Sequence, residues 1–114
     1  MGKIKIEKQD SVKMYKIRKT LNELSNVCTR AVLFSIKNES KDATQIADEL
    51  KLSLSTVYKT LANLEELALI VVDRYVISNE RKKIKLYKSR IGKVEITITD
   101  TEPILNLYPN QKSK

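Results

Sequence analysis

Ala43 to Leu67 reads A-T-Q-I-A-D-E-L-K-L-S-L-S-T-V-Y-K-T-L-A-N-L-E-E-L, and its spacing predicts a short helix, a tight turn and a longer helix. Ile46, Ala47 and Leu50 recur three and four residues apart, which places them on one helical face. Leu52 marks the bend. Ser53 can cap the second helix, its hydroxyl accepting a backbone N–H. Val57, Leu61 and Leu64 then recur at i, i+4 and i+7, a second apolar stripe. Small Ala47 lets the two helices approach. Neither helix is long enough to bury its stripe alone, so a third helix or a sheet must lie beneath them. The far face of the second helix carries Ser55, Thr56, Tyr58, Lys59 and Asn63, with no acid before Glu65. A helix that enters the DNA major groove needs such a polar, hydrogen-bonding face.

The stretch resembles the helix-turn-helix of winged-helix transcription regulators, the ArsR/MarR/TrmB-like group of archaea and bacteria. The residues that carry the resemblance are Glu49-Leu50-Lys51-Leu52-Ser53, then Ser55-Thr56-Val57, then Leu61, Leu64 and Leu67. It spans Thr29 to Arg90, about the middle half of the chain. One departure is Lys51, where the family usually has Gly. That position often takes a left-handed backbone, which costs a residue with a Cβ about 1 kcal/mol.

The rest of the chain is read outward from this pair. Cys28 to Lys37 contains Ala31, Val32, Leu33, Phe34 and Ile36 and predicts a central core helix, with Phe34 in a packing role and Cys28 a small buried hydrophobe or, less commonly, a redox-sensing thiol whose thiolate Arg30 would favour. Asn38 to Asp42 is a polar break, and Asp42 can cap the helix that follows. Ser11 to Val27 predicts an outer helix with Val12, Tyr15, Leu21 and Leu24 near one face, widened by Met14, Ile17 and Val27. Ser11 or Asp10 can cap it, and Ser25 or Asn26 can break it. Residues 3–8, K-I-K-I-E-K, read as a short strand or as a disordered basic arm.

Beyond Leu67, the β-branched run to Ile77 and the stretch Ile84 to Lys88 predict a hairpin joined by S-N-E-R-K-K. Arg74 to Lys93 holds eight basic residues against the single acid Glu80. Beside a helix-turn-helix, such a hairpin is placed to meet phosphates or the minor groove. Taken alone it is also a solvated edge that lysines protect from aggregation. Val94 to Thr99 alternates cleanly, and Ile104 to Tyr108 can return antiparallel after Pro103. The family resembled usually has a C-terminal helix here, so its mode of dimerisation does not carry over. This apolar hairpin needs cover, from its own core, from residues 3–7 or from a second subunit.

Composition sets the outer limits. The chain has 114 residues, 41% hydrophobic and 32% charged, with 22 Lys and Arg against 14 acids and a net charge of +8. That size suits one domain, and the charge favours a polyanionic partner. No apolar run nears the roughly 18–20 residues that span a bilayer and no signal peptide is visible, so a cytoplasmic protein is expected. One cysteine and no histidine exclude an internal disulfide, a Cys/His zinc site and Ser-His-Asp or Cys-His catalysis. The acids of Asp48-Glu49 and Glu65-Glu66 sit at adjacent helical positions, which face apart rather than together. No enzyme, metal or cofactor is expected.

The expected fold is therefore α+β: a winged helix-turn-helix of three to four helices plus a β-hairpin wing, with an appended C-terminal hairpin. Its parts are an N-terminal strand or arm (1–10), the DNA-binding domain (11–92), the C-terminal hairpin as a dimerisation element (93–109) and a flexible tail (110–114). The expected function is a homodimeric regulator that binds double-stranded DNA. Its recognition helix, about 54–67, presents Ser55, Thr56, Tyr58, Lys59 and Asn63 to the major groove. Ser53 and Thr44 meet backbone phosphates, and the wing, about 70–90, adds Arg81, Lys82, Lys83 and Lys85. The alternative is a winged-helix module that binds protein or RNA within a larger transcription or RNA-processing assembly, since one fold serves both.

Overall fold

A computed structural model describes residues 11–111. The strand or arm expected over residues 3–8 lies outside them, as does the tail 112–114. The described chain is α+β, four helices followed by two β-hairpins: α1 (Ser11–Leu24), α2 (Val27–Ser35), α3 (Ala43–Leu50), α4 (Leu54–Glu66), β1 (Ile70–Ile77), β2 (Lys83–Ser89), β3 (Ile91–Thr97) and β4 (Ile104–Pro109). Among the described residues, no helix is long and apolar enough to cross a membrane.

The helix starts follow from side chains that accept otherwise unpaired backbone N–H groups. Asn26 caps α2 by accepting from Thr29 N–H at 3.1 Å. Asp42 caps α3, where Gln45 N–H donates to its carboxylate at 2.8 Å and Gln45 Oε1 accepts from Asp42 N–H at 2.9 Å. This reciprocal pair satisfies two N–H groups that a helix start otherwise leaves without a partner. Ser53 caps α4, accepting from Thr56 N–H at 3.2 Å.

The turn between α3 and α4 is left-handed at Lys51, φ 59° and ψ 42°. Leu52 N–H then returns to the Ala47 carbonyl, which closes the last turn of α3. A side chain at this backbone angle costs about 1 kcal/mol relative to glycine. Lys51→Gly is therefore expected to raise the melting temperature by about 4 °C, read by a circular-dichroism melt. No change or a fall would mean that the lysine side chain stabilises the turn by a contact of its own.

The core joins all four helices to the hairpin bases. Val57, Leu61 and Leu64 of α4 meet Ile46 and Ala47 of α3, Val32 and Leu33 of α2, Ile36, Leu24, Leu69, Ile70, Tyr87 and Ile91. Four expectations fail here. Phe34 and Cys28 are exposed, because the inward stripe of α2 is Thr29, Val32, Leu33 and, just beyond the helix, Ile36. Phe34 falls one position off that stripe, so it leaves the core. Tyr15 is exposed on α1, where the inward side holds Thr20 and Leu24, flanked by half-buried Ile17 and Leu21. Asn110, expected in a frayed tail, is only 4% exposed. Its amide donates to the Lys37 carbonyl at 2.7 Å and the Ser89 carbonyl at 2.9 Å.

β1 and β2 pair antiparallel from Ile70↔Ser89 to Ile77↔Lys83, with an irregularity at Asp73. Such a bulge adds local twist. The Asp73 carboxylate accepts from the Ser40 hydroxyl at 2.6 Å. Lys41 and Tyr87 exchange two backbone hydrogen bonds, 3.1 and 2.8 Å. β3 and β4 form a separate two-stranded sheet, and β3 begins at Ile91, earlier than the Val94 expected. Gly92 sits at the irregularity in that ladder, where a Cβ would lie 3.1 Å from the Pro109 carbonyl oxygen. The two hairpins follow each other directly through Arg90, whose N–H donates to the Leu69 carbonyl at 2.9 Å.

Candidate nucleic-acid interface

α4 has a buried side of Val57, Thr60, Leu61 and Leu64. Successive residues turn by about 100°, so the line opposite that side runs through Ser55, Lys59, Ala62 and Glu66, all exposed. Tyr58 and Glu65 fall on one flank, and Thr56 and Asn63 on the other. The polar face expected from sequence is thus present but divided. Ser55 and Lys59 stand outermost, and Tyr58, 54% exposed, leans to one side.

The first hairpin lies on the Tyr58 side. Tyr58 shares a cleft of about 600 Å³ with Asp42, Ala43 and Thr44 at the start of α3 and with Ser78, Lys82, Lys83 and Lys85 of the hairpin. Glu80, Ile84 and Tyr87 complete its lining. Five of the residues expected to contact DNA therefore meet in one place: Thr44, Tyr58, Lys82, Lys83 and Lys85. Ser55 and Lys59 lie on the adjoining outer line of α4. Asn63 is half-buried, and its carbonyl accepts the Leu67 N–H at 3.2 Å.

Local bonds alter the roles of two hydroxyls. Ser53 accepts from Thr56 N–H and donates to Thr56 Oγ1 at 2.8 Å, so both side chains hold the start of α4. Ser55 Oγ lies 3.3 Å from Ser53 Oγ. Arg81 occupies the hairpin turn with φ 61°. Ser78 shapes that turn, its hydroxyl accepting from Glu80 N–H and Lys82 N–H at 3.2 and 3.1 Å.

The cleft is basic but not uniformly so. Lys82, Lys83 and Lys85 face the carboxylates of Asp42 and Glu80, of which Asp42 is engaged as a cap. Lys83 Nζ sits 4.3 Å from the centre of the Tyr75 ring. Burial pushes the Tyr87 hydroxyl pKa up, with smaller contributions from Glu65, Tyr58 and Tyr75. Tyr87 accordingly stays protonated through neutral pH. Sequence reading missed Asp42, Ser78, Glu80 and Tyr87 as neighbours of this surface. Tyr87 carried a weak signal, since Leu86-Tyr87 breaks the alternation of the strand and both are buried. The acids carried none, because their approach depends on how the hairpin packs against α3.

Among the described residues, no three metal-ligating side chains gather. No protein-family model matches the chain, and no curated protein matches it.

Proposed function

We propose that this chain is a sequence-specific regulator of transcription that binds double-stranded DNA. In this reading α3 and α4 act as the helix-turn-helix and the β1–β2 hairpin as the wing. α4 lies in the major groove, where Ser55, Tyr58 and Lys59 reach base edges or the phosphates at the groove's rim. Lys82, Lys83 and Lys85 meet phosphates of the flanking backbone. Thr44, at the start of α3, adds a hydroxyl that can donate to a phosphate oxygen. The observation that carries the reading is the shared cleft: one lip is the flank of α4 that bears Tyr58, and the other is the lysine-bearing hairpin.

Selection of bound fragments from mixed genomic DNA tests it. The purified chain is expected to enrich a motif, and Tyr58→Ala combined with Lys59→Ala is expected to erase that motif while weaker general binding remains. An unchanged motif in the double variant would remove α4 as the reading element.

A second reading is a protein- or RNA-binding module. Leu54, 42% exposed at the start of α4, favours it, since a helix that reads DNA has little use for an apolar side chain there. Weak retention on heparin, with no salt-dependent gel shift, would support a protein-binding module over the first reading.

A further inference from the structure

The second hairpin has two unlike faces. Directly paired residues on neighbouring strands project to the same side. Val94 pairs with Leu107 and Ile96 with Leu105, so one face is wholly apolar. On the other, Lys93 pairs with Tyr108 and Glu95 with Asn106. The Tyr108 hydroxyl donates to Glu95 at 2.7 Å, and that bond, with Lys93 close by, holds the Glu95 carboxyl below its usual range. On this face Lys93, Glu95 and Tyr108 are therefore engaged with one another. Among the described residues the apolar face is covered at its base, where Val94 packs on the core. Ile96 and Leu107 are exposed, and Ile98, just past the end of β3, is 77% exposed. Beside this ridge runs a groove of about 330 Å³ lined by Leu24, Ser25, Arg30, Phe34, Val94 and Ile96.

We propose that a second copy of this chain covers this surface. The apolar end of each hairpin, led by Ile98, seats in the groove that Leu24 and Phe34 form on the other copy. Two observations select this occupant. First, ridge and groove lie on one contiguous patch, which a two-fold dimer requires because the same surface must supply both halves of the fit. Second, the charges match. Residues 91–111 carry Lys93 against Glu95, Asp100 and Glu102, one positive and three negative, a net −2. α1, whose last residue Leu24 lines the groove, carries Lys13, Lys16, Arg18 and Lys19 against Glu23, a net +3. A hairpin entering the other copy's groove brings its acidic tip towards that basic helix.

The proposal is independent of the DNA reading, because its test needs no DNA. Sedimentation of the full chain across a concentration series is expected to show a monomer–dimer equilibrium. Ile98→Lys is expected to raise the dimer dissociation constant by about 10- to 100-fold with an unchanged circular-dichroism spectrum, since this side chain lies outside the monomer core. Charge reversal supplies the second arm. A chain with Asp100→Lys and Glu102→Lys, and another with Lys16→Glu and Arg18→Glu, are each expected to dimerise poorly. Mixed together they are expected to form a heterodimer, because both reciprocal contacts regain opposite charges. A wild-type chain that stays monomeric at every concentration overturns the proposal. So does an Ile98→Lys chain that dimerises as tightly as wild type, or a mixture of the charge variants that fails to associate.

Discussion

Replacing Lys82, Lys83 and Lys85 together with alanine is expected to weaken binding to every duplex by about 100-fold at physiological salt. The plot of log affinity against log salt is expected to flatten by about 2.7 units, roughly 0.9 for each phosphate no longer neutralised. All three side chains are exposed and line the cleft opposite Tyr58, so the fold should be nearly unaffected. The one local loss is the Lys83 contact over the Tyr75 ring, worth about 0.5–1 kcal/mol at an exposed site. Fluorescence anisotropy over a salt series, on one preferred and one random duplex, reads both quantities. A loss confined to the preferred duplex would mean that the hairpin reads sequence rather than backbone.

Leu61→Ala is expected to cost about 3 kcal/mol of stability, within the usual range for a buried leucine, and to lower the melting temperature by about 12 °C. Leu61 is almost wholly buried on α4, in the cluster that also holds Ile46 of α3 and Leu33 of α2. Its removal leaves a cavity among three helices that cannot all close on it. A domain of this size has only about 5–15 kcal/mol in total, so the change removes a large share. Leu54→Ala, in the first turn of the same helix but partly exposed, is expected to cost under about 1 kcal/mol. A thermal melt of each variant separates the two. Equal effects would mean that Leu54 is covered in the isolated chain rather than free to meet a partner, which counts against the second functional reading.

These two helix positions also illustrate what the sequence made legible. The α3–turn–α4 unit was readable because several local signals agreed: two apolar stripes at helical spacing, Ser53 and Asp42 at the caps, and polar residues between. The hairpins were readable from β-branched runs and from alternation. Phase was harder. α1 and α2 are so rich in apolar residues that composition admitted several stripes, and only packing against α4 chose the one that buries Leu24, Val32, Leu33 and Ile36 while turning Tyr15, Cys28 and Phe34 outward. Asn110 was illegible for a different reason. Its partners, the carbonyls of Lys37 and Ser89, are distant in sequence, and no local pattern marks a side chain that closes a corner. At the candidate site, the lysines and Tyr58 stood out by type and spacing. Asp42 and Glu80 entered only when tertiary packing brought the hairpin turn towards the start of α3.

The stitching between Lys41 and Tyr87, reinforced by Ser40 and Asp73, gives the interface a mechanical character. Both strands of the first hairpin are fastened just before α3, β2 to Lys41 through backbone bonds and β1 to Ser40 through the Asp73 carboxylate. α3 in turn is packed on α4. The gap between the tyrosine-bearing helix and the lysine-bearing ribbon is therefore set like the jaws of a locked caliper. On the DNA-binding reading proposed above, a polymer of the wrong gauge finds no second jaw to close on it, and in the proposed dimer adjustment to different spans comes from how two such calipers are mounted side by side.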